Sequence, residues 1–366
     1  MRLPFSGAAC YKNTVFDNKY LHICCKKELF MKILVGLSGG VDSAGAALLL
    51  MREGHSVEGA VLVMHEHTEI NAARDVADLL GIKLNIIDCT ERFDSIVKTD
   101  FVNEYSRGRT PNPCIVCNER VKFFCLYEYA MAHGFDAIST GHYARVDRVA
   151  NTPILTRALD GSKDQTYMLY RLPEHILDKL VLPLAERTKG EVRDILRECE
   201  YSFAERSDSQ EICFLPDGNY PEYVESRCGK FPEGNFVDES GEILGEHKGI
   251  IRYTVGQRKG LGIALGERMF VTAINPVDNT VTLSKSLIGK SKITLSSVVC
   301  SSAYKGEENE IFVKIRYTAP LARARVRMLS DGSAELDFDS PLRAAPGQSA
   351  VAYDAEGHVL FGGFID

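Results

Sequence analysis

The chain has 366 residues, of which 45% are hydrophobic and 25% are charged, and this composition excludes a disordered or fibrous protein. At about 100 to 200 residues per domain, the length predicts two or three domains. Forty-three Lys and Arg against fifty Asp and Glu give a net charge of −7, which excludes a surface that is basic throughout. A polyanion would therefore have to bind local patches.

The eleven cysteines are too few for a disulfide scaffold, which favours a reduced, cytoplasmic setting. No apolar run approaches the roughly 18 residues of a membrane-spanning helix, so we predict no membrane contact. Residues 1–30 carry five basic and two acidic residues, no periodic apolar pattern and no apolar core of a secretory signal. We predict a poorly ordered extension before Met31, either an appended tail or the product of an upstream start codon, rather than a functional arm.

Strands and helices alternate from Lys32 onward. Apolar runs predict strands at Ile33–Leu37, Val57–Val63, Leu84–Asp88 and Asp136–Thr140. Helical periodicity predicts helices at Ser43–Glu53, Ile70–Leu80, Glu91–Tyr105, Asn118–His133, Glu174–Leu180 and Lys189–Cys199. This alternation is typical of an α/β fold with a Rossmann-like parallel sheet covered on both faces.

Beyond about residue 215, glycine, proline and short β-prone runs replace the helical patterns. The runs predict strands at Gly249–Val255, Met269–Ile274, Thr280–Leu283, Ile311–Tyr317, Ala324–Leu329 and Ala350–Tyr353. The turn pairs Asp331-Gly332 and Glu356-Gly357 favour hairpins. This half of the chain is therefore predicted to form small β-barrels or sandwiches.

A glycine-rich turn lies between the first predicted strand and the first predicted helix. It consists of Gly36, Leu37, Ser38, Gly39, Gly40, Val41, Asp42 and Ser43. Backbone N–H groups and the positive end of a helix dipole can hold phosphate at such a turn, and the serine hydroxyls add donors. The pattern S-G-G-x-D-S is neither a Walker A loop nor a G-x-G-x-x-G fingerprint. We expect phosphate binding rather than a plain structural turn, with Asp42 as either a magnesium contact or a helix cap.

The polar segment Thr140-Gly141-His142-Tyr143 follows the fourth predicted strand. It would lie at the carboxyl edge of the sheet, where α/β proteins bind ligands. On sequence alone, His142 is either a functional side chain or a structural one.

Two cysteines are candidates for chemistry, and Cys117 is the first. It follows a basic, proline-bearing segment, Gly108–Pro113, and directly precedes a helix that we expect Asn118 to cap. A helix N-terminus with cations nearby favours a thiolate. Cys114 and Cys117 also form a C-x-x-C pair, which would fit half of a zinc site, although no second C-x-x-C or His pair accompanies it.

Cys213 is the second candidate because it lies in the polar loop Ser207–Gly218, whereas a buried structural cysteine normally lies in an apolar run. The other cysteines after Met31 are expected to be structural or incidental. They are Cys89, Cys125, Cys199, Cys228 and Cys300.

Six segments together resemble the bacterial tRNA-specific 2-thiouridylase family of the PP-loop ATP pyrophosphatase superfamily. They are S-G-G-x-D-S at 38–43, G-R-T-P-N-P-x-x-x-C-N at 108–118, T-G-H-Y at 140–143, K-D-Q at 163–165, D-S-Q-E-I-C-F-x-P-D-G at 208–218 and G-Q-R-K-G-L-G at 256–262. The resemblance covers essentially residues 31–366. It implies a PP-loop ATP-binding domain over 31–212, a central β-rich tRNA-binding domain over 213–283 and a C-terminal β-barrel over 284–366.

The resemblance implies sulfur insertion at C2 of the wobble uridine in the tRNAs for Lys, Glu and Gln. ATP, with Mg²⁺, would adenylate the C2 carbonyl oxygen, which makes a good leaving group. Cys213 would carry sulfur as a persulfide, and Cys117 would be the nucleophile that releases the sulfur or forms a disulfide with Cys213. The glycine-rich turn, Leu62 and Gly141 would hold ATP.

The same resemblance assigns residues to the RNA substrate. The target base would meet Asn112, Pro113 and Cys114, and tRNA would contact His142, Lys163, Asp164, Gln165, Arg316, Tyr317 and Gln348. A cysteine desulfurase or a sulfur-relay protein would supply the sulfur, and the absence of heptads favours a monomer. Three features depart from the family pattern. Cys114 stands where some members have Asp, although other members share this cysteine, so which thiol reacts stays open. The segment Met64–Glu69 is unusually short and acidic, which leaves the adenine pocket open, and residues 1–30 have no counterpart in the family.

Positive charge is concentrated near the end of the chain. Arg323, Arg325 and Arg327 alternate, so one strand would aim all three at one face. Further cations that would line the same phosphate-binding cleft are Arg107, Arg109, Arg120, Lys122, Arg252, Arg258, Lys259, Lys314 and Arg316. The alternative is a solvated strand face.

Two other functions remain open at this stage. An ATP-dependent amide-forming ligase of the same superfamily would not need the thiols and would usually have an ammonia source, but nothing in the chain resembles a glutaminase domain. A non-enzymatic RNA-binding protein would hold zinc at the cysteine pair, and about one zinc per chain would favour it.

Overall fold

Five parallel strands form the sheet of the N-terminal part of the computed structural model. Numbered in chain order, they are β1 (Lys32–Gly36), β2 (Ser56–Val63), β3 (Leu84–Asp88), β4 (Ala137–Ser139) and β7 (Leu180–Val181), arranged β3-β2-β1-β4-β7. Every neighbouring pair is parallel. The apolar run of β1 is fully buried, as expected for a central strand covered on both faces. The predicted Rossmann-like sheet is confirmed.

Helices cover the two faces of this sheet. They are α1 (Val41–Arg52), α2 (Ile70–Leu80), α3 (Thr90–Phe93), α4 (Thr99–Ser106), α5 (Pro113–Cys117), α6 (Phe123–Ala132), α7 (Thr166–Leu169), α8 (Glu174–Leu177) and α9 (Lys189–Arg197). Side chains alternate along β1: Ile33 and Val35 pack with α1, α2 and α9, whereas Leu34 packs with α6, α7 and α8. Each face of the sheet therefore has its own apolar core.

Two of the predicted helices contain a π-helical turn. Asp94–Lys98 separates α3 from α4, and Asn118–Lys122 separates α5 from α6. A π turn widens the helix locally and is frequent at functional sites. The second π turn follows Cys117 directly, so the interruption lies next to a candidate catalytic residue.

The sequence reading missed a hairpin between β4 and α7. Its strands are β5 (Arg145–Val149) and β6 (Thr152–Thr156), which pair antiparallel. The two turn residues, Ala150 and Asn151, have φ of 48° and 71°. Asparagine tolerates this left-handed conformation, and a two-residue turn of this kind matches the twist of the hairpin.

The central part combines one helix with a four-stranded sheet. The helix is α10 (Tyr220–Cys228), and the strands are β8 (Gly234–Val237), β9 (Ile243–His247), β10 (Phe270–Asn275) and β11 (Thr280–Ser284), in the order β10-β11-β8-β9. The strand predicted at Gly249–Val255 is wrong: Ile250–Arg252 is a 3₁₀ turn. Gly249 has φ +96°, which turns the chain there, and the apolar run is buried in the turn instead of in a ladder.

The C-terminal part is a closed six-stranded barrel. Its strands are β12 (Lys290–Cys300), β13 (Ile311–Lys314), β14 (Ala322–Met328), β15 (Ala334–Leu342), β16 (Ser349–Tyr353) and β17 (Val359–Ile365). Asp331-Gly332 lies between β14 and β15, and Glu356-Gly357 lies between β16 and β17. Both predicted hairpins are therefore confirmed, together with the β-barrel.

The structure describes residues 30–198, 212–264, 266–286, 289–306 and 310–366. The predicted extension lies outside these residues except for Phe30, as do Cys199 and the first part of the loop before Cys213. Among the described helices, none has the length and apolar character needed to cross a membrane.

Candidate functional site

The order of the sheet brings two loops together. β1 pairs with both β2 and β4, so the loops that leave the carboxyl ends of β1 and β4 start side by side. In open α/β sheets, this topological switch point is where ligands bind. The first loop is the glycine-rich turn at 36–43, and the second is the segment 140–143.

Hydrogen bonds between serines fix the shape of the glycine-rich turn. Ser43 Oγ donates to Gly40 O at 3.0 Å and accepts from Ser38 N at 3.2 Å. Ser38 Oγ accepts from Gly40 N at 3.4 Å and lies 3.3 Å from Ser43 Oγ. α1 begins at Val41, and its N-cap residue Gly40 has no side chain that could cap it. The Ser38 and Ser43 hydroxyls lie beside the first N–H groups of this helix. Such a position stabilises an anion.

Two glycines allow the close packing around this turn. Gly39 has φ +78°, and a Cβ there would lie 2.4 Å from the Cβ of Ala72. A Cβ on Gly141 would lie 2.5 Å from the carbonyl carbon of Asp42 and 2.6 Å from Ser43 N. A side chain fits at neither position, so the β4 loop rests directly on the backbone of the turn.

Asp42 is paired with a cation that the sequence did not single out. Lys189 Nζ lies 2.7 Å from each carboxylate oxygen, and the Tyr143 hydroxyl donates to Oδ1 at 2.8 Å. Lys189 is the first residue of α9, and its side chain is only 11% exposed. The N-cap of α1 is Gly40 and not Asp42. The helix-cap alternative for Asp42 is therefore wrong, and its partly exposed carboxylate forms an ion pair with Lys189.

His142 lies in the β4 loop and packs against the start of α6. Its Nδ1 is 2.8 Å from Thr140 Oγ1, and its ring centroid is 5.4 Å from that of Phe123. Burial, helped by the charge of Lys122, lowers the pKa of His142 to about 3. The imidazole is therefore neutral at physiological pH and can form a hydrogen bond without carrying charge.

The helix that carries the C-x-x-C pair starts earlier than predicted. Asn112, and not Asn118, is the N-cap: Asn112 Oδ1 accepts from Cys114 N at 3.2 Å. Pro113 takes the first helical position, where its missing N–H leaves nothing unpaired. Cys117 consequently lies at the end of α5 and continues into the π turn, instead of at a helix N-terminus.

The thiol of Cys117 is buried. The residue is 6% exposed, and its Sγ lies 3.7 Å from Met64 Sδ. Burial raises the pKa of Cys117 to about 12; Lys122 acts in the opposite direction, while the Cys114 and Cys213 thiols add to the increase. The expected thiolate is therefore wrong for this conformation, because desolvation outweighs the nearby cation.

The loop that carries Cys213 packs against the apolar cluster that contains Cys117. The Cys114 and Cys213 thiols both act to raise the pKa of Cys117. Desolvation, followed by the Cys114 thiol, raises the pKa of Cys213. All three are free thiols, and Cys114 and Cys213 are exposed. Phe214 and Leu62 share the apolar cluster of Cys117, which holds the Cys213 loop against the C-x-x-C helix.

The segment 163–165 and the helix after it connect the two loops of the site. Gln165 exchanges two hydrogen bonds with Tyr143: its N donates to Tyr143 O at 2.8 Å, and its Oε1 accepts from Tyr143 N at 2.9 Å. Met168 O accepts from Asn118 Nδ2 at 2.9 Å, and Met168 Sδ lies 3.4 Å from Asn112 Nδ2. Through these contacts, α7 and the residue before it support both the loop beside the glycine-rich turn and the helix that carries the thiols.

Asp164 uses its charge inside the protein. The residue is 2% exposed, and its carboxylate accepts from Ala158 N at 3.2 Å, Thr166 Oγ1 at 2.9 Å and Arg157 Nε at 3.4 Å. These contacts shape the segment around the half-buried Lys163. A direct contact between Asp164 and tRNA stays a prediction that this burial does not favour.

The C-terminal barrel supports the segment before the C-x-x-C pair. Gln348 Nε2 donates to Thr110 O at 2.7 Å, and Thr110 N donates to Pro346 O at 2.8 Å. Arg109 donates to Ile365 O at 3.0 Å. Gln348 therefore positions the loop that carries Asn112, and its contact with tRNA stays a prediction.

The Arg316 and Tyr317 pair lies just after β13. Arg316 is exposed, while the Tyr317 ring is half-buried with its centroid 6.3 Å from that of Tyr167. Lys314 points inward instead: it is 8% exposed, and burial lowers its pKa, although Asp164 acts in the opposite direction. Lys314 is thus an interior cation and not part of a surface patch.

Many of the surface cations predicted to bind phosphate are paired with carboxylates. The arginines of β14 do project from one exposed face, as predicted. Arg327 lies 2.6 Å from Glu335, and Arg323 pairs with Glu310. Further pairs are Arg107 and Arg109 with Glu104, and Arg252 with Glu225. Phosphate would compete with these carboxylates, so the cationic cleft stays a prediction.

Within the described residues, three side chains group as possible metal ligands: Asp354, Glu356 and His358, at the turn between β16 and β17. His358 Nδ1 lies 2.7 Å from Asp354 Oδ2. This group includes neither cysteine of the C-x-x-C pair, so it lends no support to zinc at that pair.

Lys189 and Met168 are the site residues that sequence reasoning missed. The pattern Thr188-x-x-Glu191 is a capping box, confirmed by reciprocal hydrogen bonds, and this pattern could have placed Lys189 at a helix start. Nothing in the sequence could have shown that Lys189 meets Asp42, because that contact depends on how α9 packs against α1. The packing is close: a Cβ on Gly45 would lie 2.5 Å from Val192 Cγ1.

Three protein-family models match consecutive parts of the chain. The tRNA methyl transferase HUP domain matches residues 31–217, the tRNA methyl transferase PRC-barrel domain matches residues 222–285, and the aminomethyltransferase beta-barrel domain matches residues 290–365. Each model corresponds to one of the three parts of the fold described above.

Curated proteins from clostridia are similar over almost the whole chain. The tRNA-specific 2-thiouridylase MnmA 1 of Clostridium botulinum (strain Langeland) is 39% identical over 352 residues, which cover 91% of this chain and 98% of that protein. The namesake of Clostridium tetani is 38% identical, covering 93% and 98%. The tRNA-specific 2-thiouridylase MnmA of Clostridium perfringens (strain 13) is 40% identical, covering 92% and 98%.

Proposed function

We propose a reaction for this chain from the fact that it belongs to the tRNA-specific 2-thiouridylase family. Relatives of that name are 38% and 39% identical to it over about nine-tenths of its length. It inserts sulfur at C2 of the wobble uridine in the tRNAs for Lys, Glu and Gln and consumes ATP. One observation supports this proposal best: the loop that carries Cys213 packs into the same apolar cluster as Cys117, although the two cysteines are far apart in sequence.

ATP is held at the glycine-rich turn, Leu62 and Gly141. The turn fits a triphosphate because the Ser38 and Ser43 hydroxyls lie at the start of α1, where helix N–H groups and the helix dipole attract an anion. Lys189 provides a cation beside Asp42. Mg²⁺ would neutralise phosphate charge, and Asp42 could hold it through a carboxylate oxygen only by exchanging part of its pairing with Lys189 for the metal.

The first chemical step activates the base. The C2 carbonyl oxygen of uridine attacks the α-phosphorus of ATP, an O–P bond forms, and pyrophosphate leaves. Oxygen is a poor leaving group from a pyrimidine carbon, whereas AMP is a good one. The target base meets Asn112, Pro113 and Cys114, a segment held by the Asn112 cap and by Gln348.

The second step transfers sulfur. The terminal sulfur of a persulfide on Cys213 attacks C2, AMP leaves, and Cys117 attacks the inner sulfur of Cys213. The persulfide S–S bond breaks, the sulfur stays on the base, and a Cys117–Cys213 disulfide forms that a thiol reductant must reopen. The exposure of Cys213 fits loading by a cysteine desulfurase or a sulfur-relay protein.

The tRNA surface is the least defined part of this proposal. Its candidate contacts are His142, Lys163, Asp164, Gln165, Arg316, Tyr317 and Gln348. Those that the structure leaves exposed or half-exposed, such as Arg316, are the better candidates for phosphate contacts. A monomer working in a reduced cytoplasm completes the proposal.

Reconstitution tests the proposed reaction. The purified protein is combined with unmodified tRNA, ATP, Mg²⁺ and a cysteine desulfurase, and 2-thiouridine is measured by mass spectrometry. We expect C117S and C213S each to abolish thiolation while ATP binding is retained. C114S is the matched control and should keep substantial activity. Full activity in C117S or C213S would contradict the proposal. Inactivity of C114S would mean that Cys114 takes or shares the role given to Cys117.

A further inference from the structure

Arg171 forms an enclosed ion pair beside the site, and the proposed reaction gives it no role. Its Nε donates to Glu119 Oε2 at 2.8 Å, and the two side chains are only 11% and 22% exposed. Glu119 belongs to the π turn at Asn118–Lys122, which directly follows Cys117. Removing one partner of an enclosed pair leaves an uncompensated charge, so such a pair fixes its two segments more firmly than an exposed pair does. The ion pair therefore anchors the segment that follows Cys117.

The π turn has a second anchor on the same part of the chain. Asn118 Nδ2 donates to Met168 O at 2.9 Å, and Asn118 is 2% exposed. The two residues after Cys117 are thus tied to the stretch 168–171, at the end of α7 and just beyond it. A π turn departs from regular helix geometry. We therefore expect these side-chain contacts, and not helix propensity, to hold the turn and with it the Cys117 thiol.

Arg171 also reaches the C-terminal barrel. Its Nη1 donates to Ser297 O at 2.8 Å, and its guanidinium lies 5.0 Å from the Phe364 ring centroid. Ser297 belongs to β12 and Phe364 to β17. A guanidinium suits this position because its donors diverge in a fixed plane and its face packs on an aromatic ring. One side chain thus connects the barrel to the turn that follows Cys117.

The backbone of the barrel is irregular at the residue that Arg171 contacts. Ser297 has φ +49°, a left-handed conformation that is uncommon outside glycine. The pairing of β12 with β17 also shifts register between Ser296 and Val299. A bulge of this kind interrupts the ladder and re-aims the groups within it. Because a costly local conformation is kept where surrounding contacts require it, the bulge supports the contact between Ser297 O and Arg171 independently of the ion pair.

We propose that Arg171 is a positioning residue, which couples the C-terminal barrel to Cys117 through Glu119. The proposal rests on the proposed function, because it assigns Arg171 to the step that uses the Cys117 thiol. Without Arg171, the π turn loses its link to the barrel. The thiol then becomes more accessible to small reagents and loses its fixed place relative to the target base.

Alkylation of Cys117 tests this coupling without tRNA, ATP or a sulfur donor. Iodoacetamide is added to the full chain at about pH 8, near the ordinary pKa of a thiol, and site-specific mass spectrometry follows Cys117. We expect R171M to raise the alkylation rate by roughly tenfold, because water that enters the loosened turn lowers the cost of ionising the thiol. An unchanged rate in folded R171M would overturn the proposal.

Arg148 supplies the matched control. Like Arg171, it bridges a carboxylate and a backbone carbonyl: it donates to Asp178 Oδ1 at 2.6 Å and to Asn151 O at 3.0 Å. Its side chain is 53% exposed, and it lies in the β5–β6 hairpin. R148M should therefore leave the Cys117 alkylation rate unchanged. An equal rise in R148M and R171M would show a general loosening of the chain and would contradict the coupling.

Three further variants separate positioning from a general loss of stability. R171K keeps the charge, but one ammonium group cannot reproduce the diverging donors of the guanidinium, so we expect it to resemble R171M. E119A/R171M should react no faster than R171M if Arg171 acts through Glu119. E119Q keeps the side-chain volume and removes the charge, and we expect a rise of about threefold. It provides the test if a circular dichroism melt shows that R171M fails to fold.

Thiolation kinetics show whether this position matters for the reaction. In R171M, we expect kcat to fall by about tenfold while KM for ATP changes by less than about twofold, because the lost contacts hold the sulfur half of the site. A normal alkylation rate in R171K, multiplied effects in E119A/R171M, or an unchanged kcat in R171M would each overturn the positioning role. Absence of thiolation in the unmodified chain would contradict the proposed function instead, and the alkylation rates would still decide whether Arg171 holds Cys117.

Discussion

The nucleotide half and the sulfur half of the site differ in how far they are prepared for chemistry. In the nucleotide half, Asp42 already has both carboxylate oxygens paired with Lys189, and Gly141 lies against the turn with no room for a side chain. In the sulfur half, Cys117 is 6% exposed and burial raises its pKa to about 12. One half is preorganised, and the other is held in an unreactive state.

The difference shows how a single fold can protect a catalytic sulfur from unwanted reaction and oxidation. A protonated, enclosed thiol is a poor nucleophile and a poor target for oxidants, whereas a phosphate site loses nothing by being formed in advance. Within the proposed reaction, Cys117 acts last, after the base is activated. Its low reactivity in the absence of tRNA is therefore consistent with its place in the sequence of steps.

The largest predicted effect concerns the reactivity of Cys117. At pH 8, we expect iodoacetamide to alkylate Cys117 roughly a thousandfold more slowly than an unstructured cysteine peptide, because a thiol whose pKa is about 12 is almost wholly protonated there. Raising the pH increases the thiolate population, so the rate should still be rising above pH 9, where the peptide levels off. Site-specific mass spectrometry measures both rates. A plateau near pH 7 would mean that Cys117 is an activated thiolate, and the contrast between the halves would fail.

The next effect tests the close packing of the nucleotide half. In G141V, the new Cβ would lie 2.5 Å from the Asp42 carbonyl carbon, so the turn must move. Overpacking of this kind costs about 1–3 kcal/mol, and we expect ATP affinity to fall by about tenfold to a hundredfold. Isothermal titration calorimetry measures the affinity.

Gly190 supplies the matched control for this substitution. Its added Cβ would meet only Thr188 Oγ1, at 3.8 Å, which is ordinary contact. We expect G190A to bind ATP like the unmodified chain. Equal losses of affinity in G141V and G190A would show that the close approach at Gly141 is not what shapes the turn.

A smaller effect is expected when the ion pair is broken. In K189M, Asp42 keeps its charge but loses its nearest cation. We expect the free energy of unfolding to fall by about 2 kcal/mol. This is less than the loss for a fully buried pair, because the Asp42 side chain is 32% exposed. Urea denaturation measures the change. The loss of unfolding free energy in D42N/K189M should be smaller than the sum of the losses in D42N and K189M. R197M is the control: Arg197 and Asp194 are half-exposed or more, so we expect about 0.5 kcal/mol or less. Equal losses of unfolding free energy in K189M and R197M would mean that Lys189 does not help to preorganise the nucleotide half.

How much the sequence predicts also differs between the two halves. The glycine-rich turn was placed correctly because its signals are local: an apolar strand, S-G-G-x-D-S and a helix rich in Ala and Leu follow one another directly. The partner of Asp42 was not predicted, because Lys189 reaches it only through the packing of α9 against α1. Local patterns therefore predict elements and loops, whereas long-range pairing of charges depends on the assembled fold.

In the sulfur half, the environment that the sequence predicts for Cys117 is wrong. Cys117 and Cys213 are both singled out by the sequence, and the Cys213 loop packs into the apolar cluster of Cys117; their catalytic roles stay a prediction. The thiolate prediction failed because Asn112 and Pro113 start the helix early, which takes Cys117 away from the dipole and into the apolar cluster. Both signals, an N-cap residue and proline at the first helical position, were present in the sequence, so the helix start could have been predicted, but the burial could not.

The smallest expected effect tests whether the barrel supports the sulfur half alone. In Q348A, Thr110 O loses a hydrogen bond of 2.7 Å, and we expect the free energy of unfolding to fall by about 1 kcal/mol. The loop that carries Asn112 loosens while the glycine-rich turn is untouched, so the thiolation rate should fall severalfold with ATP affinity unchanged. Q348E sharpens the test, because a carboxylate would face the Thr110 carbonyl oxygen without a proton to donate, and we expect a larger loss. If ATP affinity falls as much as thiolation in both variants, the two halves depend on the barrel equally, and the separation between a preorganised and a restrained half is wrong.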